Sequence, residues 1–385
     1  MFIQRAIQSE IERRLFQGKA LLLYGPRQSG KTTLLREMLR PRQEELLILN
    51  GDEADVRELL TDASTARLRS IIGKKRIVVI DEAQRIPGIG VTLKLMVDQM
   101  PEVQTIATGS SAFELAQGTA EPLTGRKFAF TLFPLAFAEL ARRDGVLAER
   151  RLLEQRVVWG GYPEIVTHPD DASVRLKTLA GSYLYKDLLM LEGLKKPALL
   201  EKLVRALALQ VGSELSYNEL AQLVGSDPKT VEKYVDLLAK AYVVFILPAL
   251  ARNARNEIKK GKKIYFCDTG IRNAVLGNFL PLGARTDVGA LWENYLFAER
   301  RKLLANSGRS ASLFFWRTTT QAEVDCVEEE AGRMRAWEFK WNPKAKGRIP
   351  HGFTTAYPTA TTAFITPANY DLFLMPAPPD YTAAR

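Results

Sequence analysis

At 385 residues, 46% of them hydrophobic, the chain is long enough for two or three domains with separate cores. No apolar run reaches the roughly 18 residues that a bilayer-spanning helix needs, and MFIQRAIQSEIERR is too polar for a signal-peptide core, so a cytoplasmic address and no membrane partner are expected. Two distant cysteines, Cys267 and Cys326, and two isolated histidines, His168 and His351, argue against a disulfide framework, a zinc site and histidine chemistry, while a net charge of +10 favours an acidic partner such as DNA.

From Ala20, ALLLYGPRQSGKTTLLREML reads as a buried strand, a glycine-bearing loop and a helix, and it fits G-x-x-x-x-G-K-[ST]. The expected nucleotide contacts are Gly25, Pro26, Arg27, Gln28, Ser29, Gly30, Lys31, Thr32 and Thr33. Gly30 lets the backbone curl so that its N–H groups face phosphate oxygens, and the helix that follows turns its positive end to the same anion. Lys31 is expected to reach the β and γ phosphates, and the Thr32 hydroxyl to be a ligand of Mg2+.

LLILN (46–50) offers the next strand. KKRIVVIDEAQ then places four apolar residues, Ile77 to Ile80, in a strand suited to burial on both faces of a parallel sheet. Asp81 emerges at its carboxyl end, where such sheets place ligands, and is expected to hold Mg2+ through water while Glu82 orients or deprotonates the attacking water. VQTIATGSS (103–111) is a further strand, with Ser110 or Ser111 at its end to sense the γ phosphate. Arg126, in LTGRKF, is a candidate arginine finger in its own chain or across a subunit boundary, the second of which would require a homo-oligomer.

These segments resemble the AAA-like ATPases, and among them the bacterial and archaeal proteins that carry GPRQ-x-GKTT, IDEAQ, TGSS, L-x-GR and GGYPE; here they stand as GPRQSGKTT, IDEAQ, TGSS, LTGR and GGYPE (160–164). The resemblance implies an α/β parallel-sheet ATPase domain, ATP rather than GTP, and hydrolysis. The loop itself does not choose the base.

Beyond Arg150, helical periodicity through SYLYKDLLMLEGLKK and PALLEKLVRALALQVG suggests a lid and connector. LSYNELAQLVGSDPKTVEKYVDLLAKAYVVFIL (215–247) reads helix, glycine turn, helix, strand, with Ser216 and Asp227 as caps and Pro228 in a first turn. That spacing suits a winged helix, with KTVEKYVDLL in the recognition position and KKGKK (259–263) as the wing. Lys229, Thr230 and Lys233 would meet phosphates, whereas Glu232 and Asp236 on the same helix fit a protein connector equally well.

Further on, LFFWRTT, AEVDCV and RMRAWEFKW read as three strands, preceded by the amphipathic helix ALWENYLFAERRKLL. Glu293, Asp325, Glu338 and Lys340 are then expected to converge, since strand side chains repeat every two residues. Carboxylates around a second Mg2+ or Mn2+, held by Asp325 and Glu338, with a lysine beside the attacking water, make a workable phosphodiesterase site. The bulky Cys326 and Trp337 nearby are candidates to occlude the metal. The order resembles the D…E-x-K nuclease superfamily and the C-terminal domain often attached to GPRQ-type ATPases.

The expected division is an ATPase domain over 1–150, a connector over 151–200, a winged helix over 201–263 and a nuclease-like α/β domain over 264–385. Two functions fit it: an ATP-driven DNA-processing protein with an active nuclease, or a signalling or assembly ATPase whose nuclease-like domain is inert and binds protein or DNA.

Overall fold

A computed structural model describes residues 2–110, 123–181, 196–250, 261–344 and 347–376. Ser111 and nearly all of SYLYKDLLMLEGLKK lie outside these residues. Among the described residues no helix is long and apolar enough to cross a membrane.

The first domain is built on β1 (Ala20–Tyr24), β2 (Leu46–Asn50), β3 (Ile77–Asp81), β4 (Gln104–Gly109) and β5 (Lys127–Thr131), in the order β2-β3-β4-β1-β5 and parallel throughout. Alternation explains why its central strands are apolar without a break. Leu22, Val78, Ile80 and Ala107 pack on one face with Leu93 and Met96, while Leu21, Leu23, Val79 and Ile106 pack on the other with Leu34 and Leu35. Helices therefore cover both faces, as a parallel sheet requires. The carboxyl ends of β1 and β3 flank that of β4, which brings the glycine loop and Asp81 to one edge.

The middle of the chain forms helices Pro197–Leu209, Tyr217–Val224 and Pro228–Lys240, followed by the antiparallel pair β6 (Val244–Pro248) and β7 (Lys262–Phe266). Ser216 Oγ accepts from the Glu219 N–H (3.3 Å) and Asp227 Oδ1 from the Thr230 N–H (2.9 Å), so both expected caps are made. The C-terminal part sets helix Val288–Asn306 before β8 (Ser312–Arg317), β9 (Glu323–Glu330), β10 (Arg333–Phe339) and β11 (Thr361–Ile365). Strand order is β11-β10-β9-β8, with β8, β9 and β10 antiparallel and β11 parallel to β10.

The expected boundary between residues 263 and 264 falls inside β7. One core runs through residues between Phe137 and Leu374, in which Tyr162, Leu200, Val235, Phe266, Trp292, Phe339 and Tyr370 are all buried, while Trp316, Val324, Ala336 and Phe353 form a second, smaller cluster on the C-terminal sheet. Connector, helical unit and C-terminal sheet thus pack as one body, because each exposes an apolar face that only the others can cover.

GGYPE sits at its junction with the ATPase domain. A Cβ on Gly160, whose φ is +73°, would lie 2.0 Å from Asp268 Oδ1, and one on Gly161 would lie 2.4 Å from the Leu135 carbonyl oxygen. Asp268 accepts from the Gly161 N–H (2.8 Å) and from the Ile271 N–H (3.2 Å). Gly160→Ala is therefore expected to cost about 2–4 kcal/mol of stability, combining a positive φ with displacement of a buried carboxylate. Urea unfolding of the full chain would measure it, and a variant within 0.5 kcal/mol or so of wild type would contradict this packing.

Candidate active site

The loop between β1 and helix Lys31–Leu39 turns through three unusual backbone angles: φ is +145° at Gly25, +59° at Gln28 and +95° at Gly30. Gly25 has a second reason to lack a side chain, since a Cβ there would lie 2.2 Å from the Leu132 carbonyl oxygen. Lys31 is buried, and its Nζ donates to the carbonyls of Gly25 (2.8 Å) and Pro26 (3.0 Å), so the lysine closes the loop on itself. Pro26 and Ser29 are buried, Arg27 is half-buried, and Gln28 and Thr33 are exposed.

Thr32 Oγ1 donates to Asp81 Oδ2 (2.7 Å), which unites the two expected magnesium-binding groups. Thr108, at the end of β4, donates to the other oxygen of Asp81 and accepts from the Glu82 N–H (3.2 Å). It thereby sets the orientation of both acids, a role the sequence concealed because a threonine in a strand is ordinarily packing. Glu82 itself is left-handed (φ 49°, ψ 41°), an arrangement that costs a non-glycine residue energy and turns its carboxylate away from the strand. There Gln84 Nε2 donates to it and lies 3.5 Å from Ser110 Oγ. Ser110 thus lies beside Gln84, next to the acids.

Do these residues fit a magnesium nucleotide? The hydroxyl and carboxylate at Thr32 and Asp81 are hard oxygen donors of the kind Mg2+ takes. Ser29 Oγ is buried within the loop with no hydrogen-bond partner, a polar atom that a bound phosphate would satisfy. The set fits. A bound Mg2+ would neutralise charge on the β and γ phosphates.

Arg126 lies elsewhere. β5 runs parallel to β1 with Ala20 opposite Lys127 and Tyr24 opposite Thr131, so Arg126 precedes the strand at the amino end of the sheet. The loop is at the carboxyl end, roughly 16 Å away at the rise of a strand. Arg126 Nε pairs instead with Asp98 Oδ1 at 2.6 Å on the surface. An arginine finger acting within its own chain is corrected by this placement, whose physical cause is the parallel insertion of β5 beside β1.

In the C-terminal part, β9 and β10 pair with Cys326 opposite Trp337, and Asp325 and Glu338 are the next residues of the two strands, close enough for the Glu338 charge to act on Asp325. Asp325 Oδ2 accepts from the Phe339 N–H (2.7 Å), and Glu338 Oε1 pairs with Lys340 Nζ (2.7 Å). Helix Val288–Asn306 brings Glu293 to the same place. Burial, together with the charges of Glu293 and Glu338, pushes the Asp325 carboxyl up to about 8. The predicted residues Glu293, Asp325, Glu338 and Lys340 therefore do converge. Cys326 and Trp337 pack beside the cluster, in the core shared with Leu296 and Phe297 of the helix that carries Glu293.

Something else occupies it. Lys263, buried to 5% exposure, pairs with Glu293 Oε1 (3.2 Å) and Glu323 Oε1 (2.5 Å), and the Tyr265 hydroxyl also donates to Glu293. Burial works against the Lys263 charge, but Glu293, Glu323 and Asp325 more than compensate and raise its pKa. Among the described residues no group of three or more His, Cys, Asp or Glu side chains is arranged to hold a metal ion. The expected second Mg2+ or Mn2+ at Asp325 and Glu338 is accordingly not supported: a lysine ammonium sits among the acids. Of the basic run at 259–263, Lys262 and Lys263 belong to β7 and Lys263 is buried, while Lys259 and Lys260 lie outside the described residues.

A pH dependence follows from Asp325. Its carboxyl is raised from 3.8 to about 8, so between those values the folded state binds more protons than the unfolded one, and stability falls as pH rises across the window. Asp325→Asn removes this contribution. Its melting temperature should gain on wild type steadily from pH 5 to pH 8, and parallel melting curves for the two proteins would contradict the buried, repelled carboxylate.

A family model described as AAA domain matches residues 17–141. Two more, described as domains of unknown function, match residues 150–281 (DUF8612) and 288–374 (DUF4143). Uncharacterized protein Rv2008c of Mycobacterium tuberculosis is 30% identical over 344 residues, covering 88% of this chain and 74% of that protein. The chain belongs to the same family as this uncharacterized protein. An uncharacterized protein of Haemophilus influenzae is 25% identical over 284 residues, 66% of this chain and 69% of that one. Among solved structures, the Thermotoga maritima RuvB Holliday junction branch migration motor aligns at 17% identity over 72% of this chain and 92% of its own, with a TM-score of 0.31. By the match over residues 17–141, this family member carries an AAA-type ATPase domain, with Lys31, Asp81 and Glu82 gathered at the carboxyl edge of its sheet.

Proposed function

We propose that the protein is a nucleotide-driven switch: Mg2+-dependent ATP hydrolysis at the loop of the first domain changes how a winged-helix-like and nuclease-like C-terminal body holds DNA or a protein partner, without cutting it. In the first domain Glu82 would take the proton of the attacking water, Lys31 would leave the Gly25 and Pro26 carbonyls for the phosphates, and Asp81 and Thr32 would hold the metal.

The observation behind the non-cutting assignment is Lys263. Its ammonium satisfies Glu293 and Glu323 from within, and the Asn294 side chain bonds both the N–H (2.9 Å) and the C=O (2.7 Å) of Phe266, fastening β7 to the helix that carries Glu293. Exposed Lys229 and Lys233 on helix Pro228–Lys240 alternate with exposed Glu232 and Asp236, a mixed face suited to a protein or to phosphate contacts.

The test is a cleavage assay on duplex, single-stranded and branched DNA with Mg2+, with and without ATP, alongside light scattering. Expected are intact DNA and a nucleotide-dependent change in particle mass, both unaffected by Asp325→Ala. The rival reading, a metal-dependent nuclease, draws on the convergence of Glu293, Asp325, Glu338 and Lys340. It predicts cutting that is lost in Asp325→Ala and Lys340→Ala, and such cutting would overturn the reading preferred here.

A further inference from the structure

Chain segment Leu132–Phe137, which leaves β5 and enters helix Phe137–Asp144, touches the phosphate loop on one side and the C-terminal body on the other. On the loop side, the Leu132 carbonyl lies against Gly25. Arg5 reaches across with a full fork: Nη1 donates to the Ser29 carbonyl (2.8 Å), Nη2 to the Phe133 carbonyl (2.6 Å) and Nε to Glu139 Oε1 (2.9 Å). Glu139 gives its other oxygen to the Ala136 N–H (2.8 Å), the reach-back of a third helical residue to its cap.

On the far side, helix Val288–Asn306 supplies a second pair of the same design. Lys302 Nζ donates to the Leu135 carbonyl (3.0 Å) and to Glu299 Oε1 (2.7 Å), and Glu299 Oε2 accepts from the Phe137 N–H (2.7 Å). GGYPE closes the arrangement, its Gly161 carbonyl accepting from the Leu135 N–H (2.7 Å). All four charged side chains are more than nine-tenths buried. Buried ion pairs contribute little net stability over an apolar filling of the same volume, because desolvation offsets their attraction. What these two pairs add is geometry, since each fixes particular backbone atoms of the shared segment.

We infer that Arg5 is a positioning residue of the phosphate loop, and that segment 132–137, clamped by Arg5–Glu139 and by Lys302–Glu299, couples nucleotide binding to the C-terminal body. The inference rests on the nucleotide reading of the loop and names its route of regulation. Lys31 must release the Gly25 and Pro26 carbonyls to meet phosphate. The loop then resets around Ser29, whose carbonyl Arg5 holds, and Arg5 passes the change to the Phe133 carbonyl. Leu135 and Phe137 lie a few atoms further along, where Lys302 and Glu299 grip the same backbone.

Hydrogen exchange on the full chain, with and without a saturating non-hydrolysable ATP analogue and Mg2+, tests this. In wild type, exchange should slow by at least about threefold in the loop (25–32), in segment 133–137 and in helix residues 297–304. In Arg5→Lys, which keeps the charge but not the fork, the loop should still be protected by saturating analogue while the helix no longer responds. A wild-type helix indifferent to analogue while the loop is protected overturns the coupling, as does an undiminished helix response in Arg5→Lys. Should Arg5→Lys fail to fold, the wild-type arm decides alone. No protection anywhere, the loop included, removes the nucleotide reading and this proposal with it.

Discussion

Lys31→Ala is expected to weaken ATP binding by roughly two to three orders of magnitude, the loss of one charge-assisted contact to phosphate in a largely water-excluded site. The side chain is 5% exposed and its ammonium already lies on the Gly25 and Pro26 carbonyls at the mouth of the loop. Binding exchanges those two carbonyls for phosphate oxygens, and the phosphate contact is the one the variant cannot make. Removing it also leaves the carbonyls of buried Gly25 and Pro26 without that donor, a separate cost to stability. Titration with a fluorescent ATP analogue, beside a circular dichroism melt, separates the two effects. Affinity equal to wild type would show that the loop is not a phosphate site.

Glu82→Gln should leave that affinity nearly unchanged while lowering turnover by about 10²- to 10⁴-fold, the usual contribution of a positioned general base. Glutamine is the same size and preserves the backbone of the residue, so the Glu82 N–H can still donate to Thr108. The left-handed turn at this position is retained, and with it the aim of the side chain. Only the ability to accept a proton is lost. Phosphate release in single-turnover and steady-state experiments measures the effect. Undiminished release, with binding intact, would move the role of base to another group near Ser110.

Much of the nucleotide site was legible because its parts are local. Gly25 to Thr33 are contiguous, and a phosphate cradle is made of backbone groups whose curl demands glycine at set places. Asp81 and Glu82 were found because a strand apolar on both faces must end at a carboxyl edge, and polar residues appearing there are displayed toward a ligand. Strand alternation likewise set Glu338 and Lys340 on one face, with Asp325 at a neighbouring strand position and Glu293 directed to the same spot from the preceding helix. β5 was not foreseen, and with it the place of Arg126: without knowing that KFAFT lies parallel to β1, there was no means of telling which end of the sheet the arginine occupies.

The sequence by itself determined the phosphate loop, its acidic partners and the kind of elements that carry the C-terminal acids, since each depends on residues near one another along the chain. Tertiary structure alone decided what those acids face. Lys263 looked like one member of a solvated basic run, yet β7 is pressed against helix Val288–Asn306 and buries the lysine among Glu293 and Glu323. Arg5 and Glu139, separated by 134 positions, gave no sign of being a pair. The charge and accessibility of such groups depend on which distant segments are packed around them. A side chain with a long reach and a buried partner therefore takes its role from the assembled core.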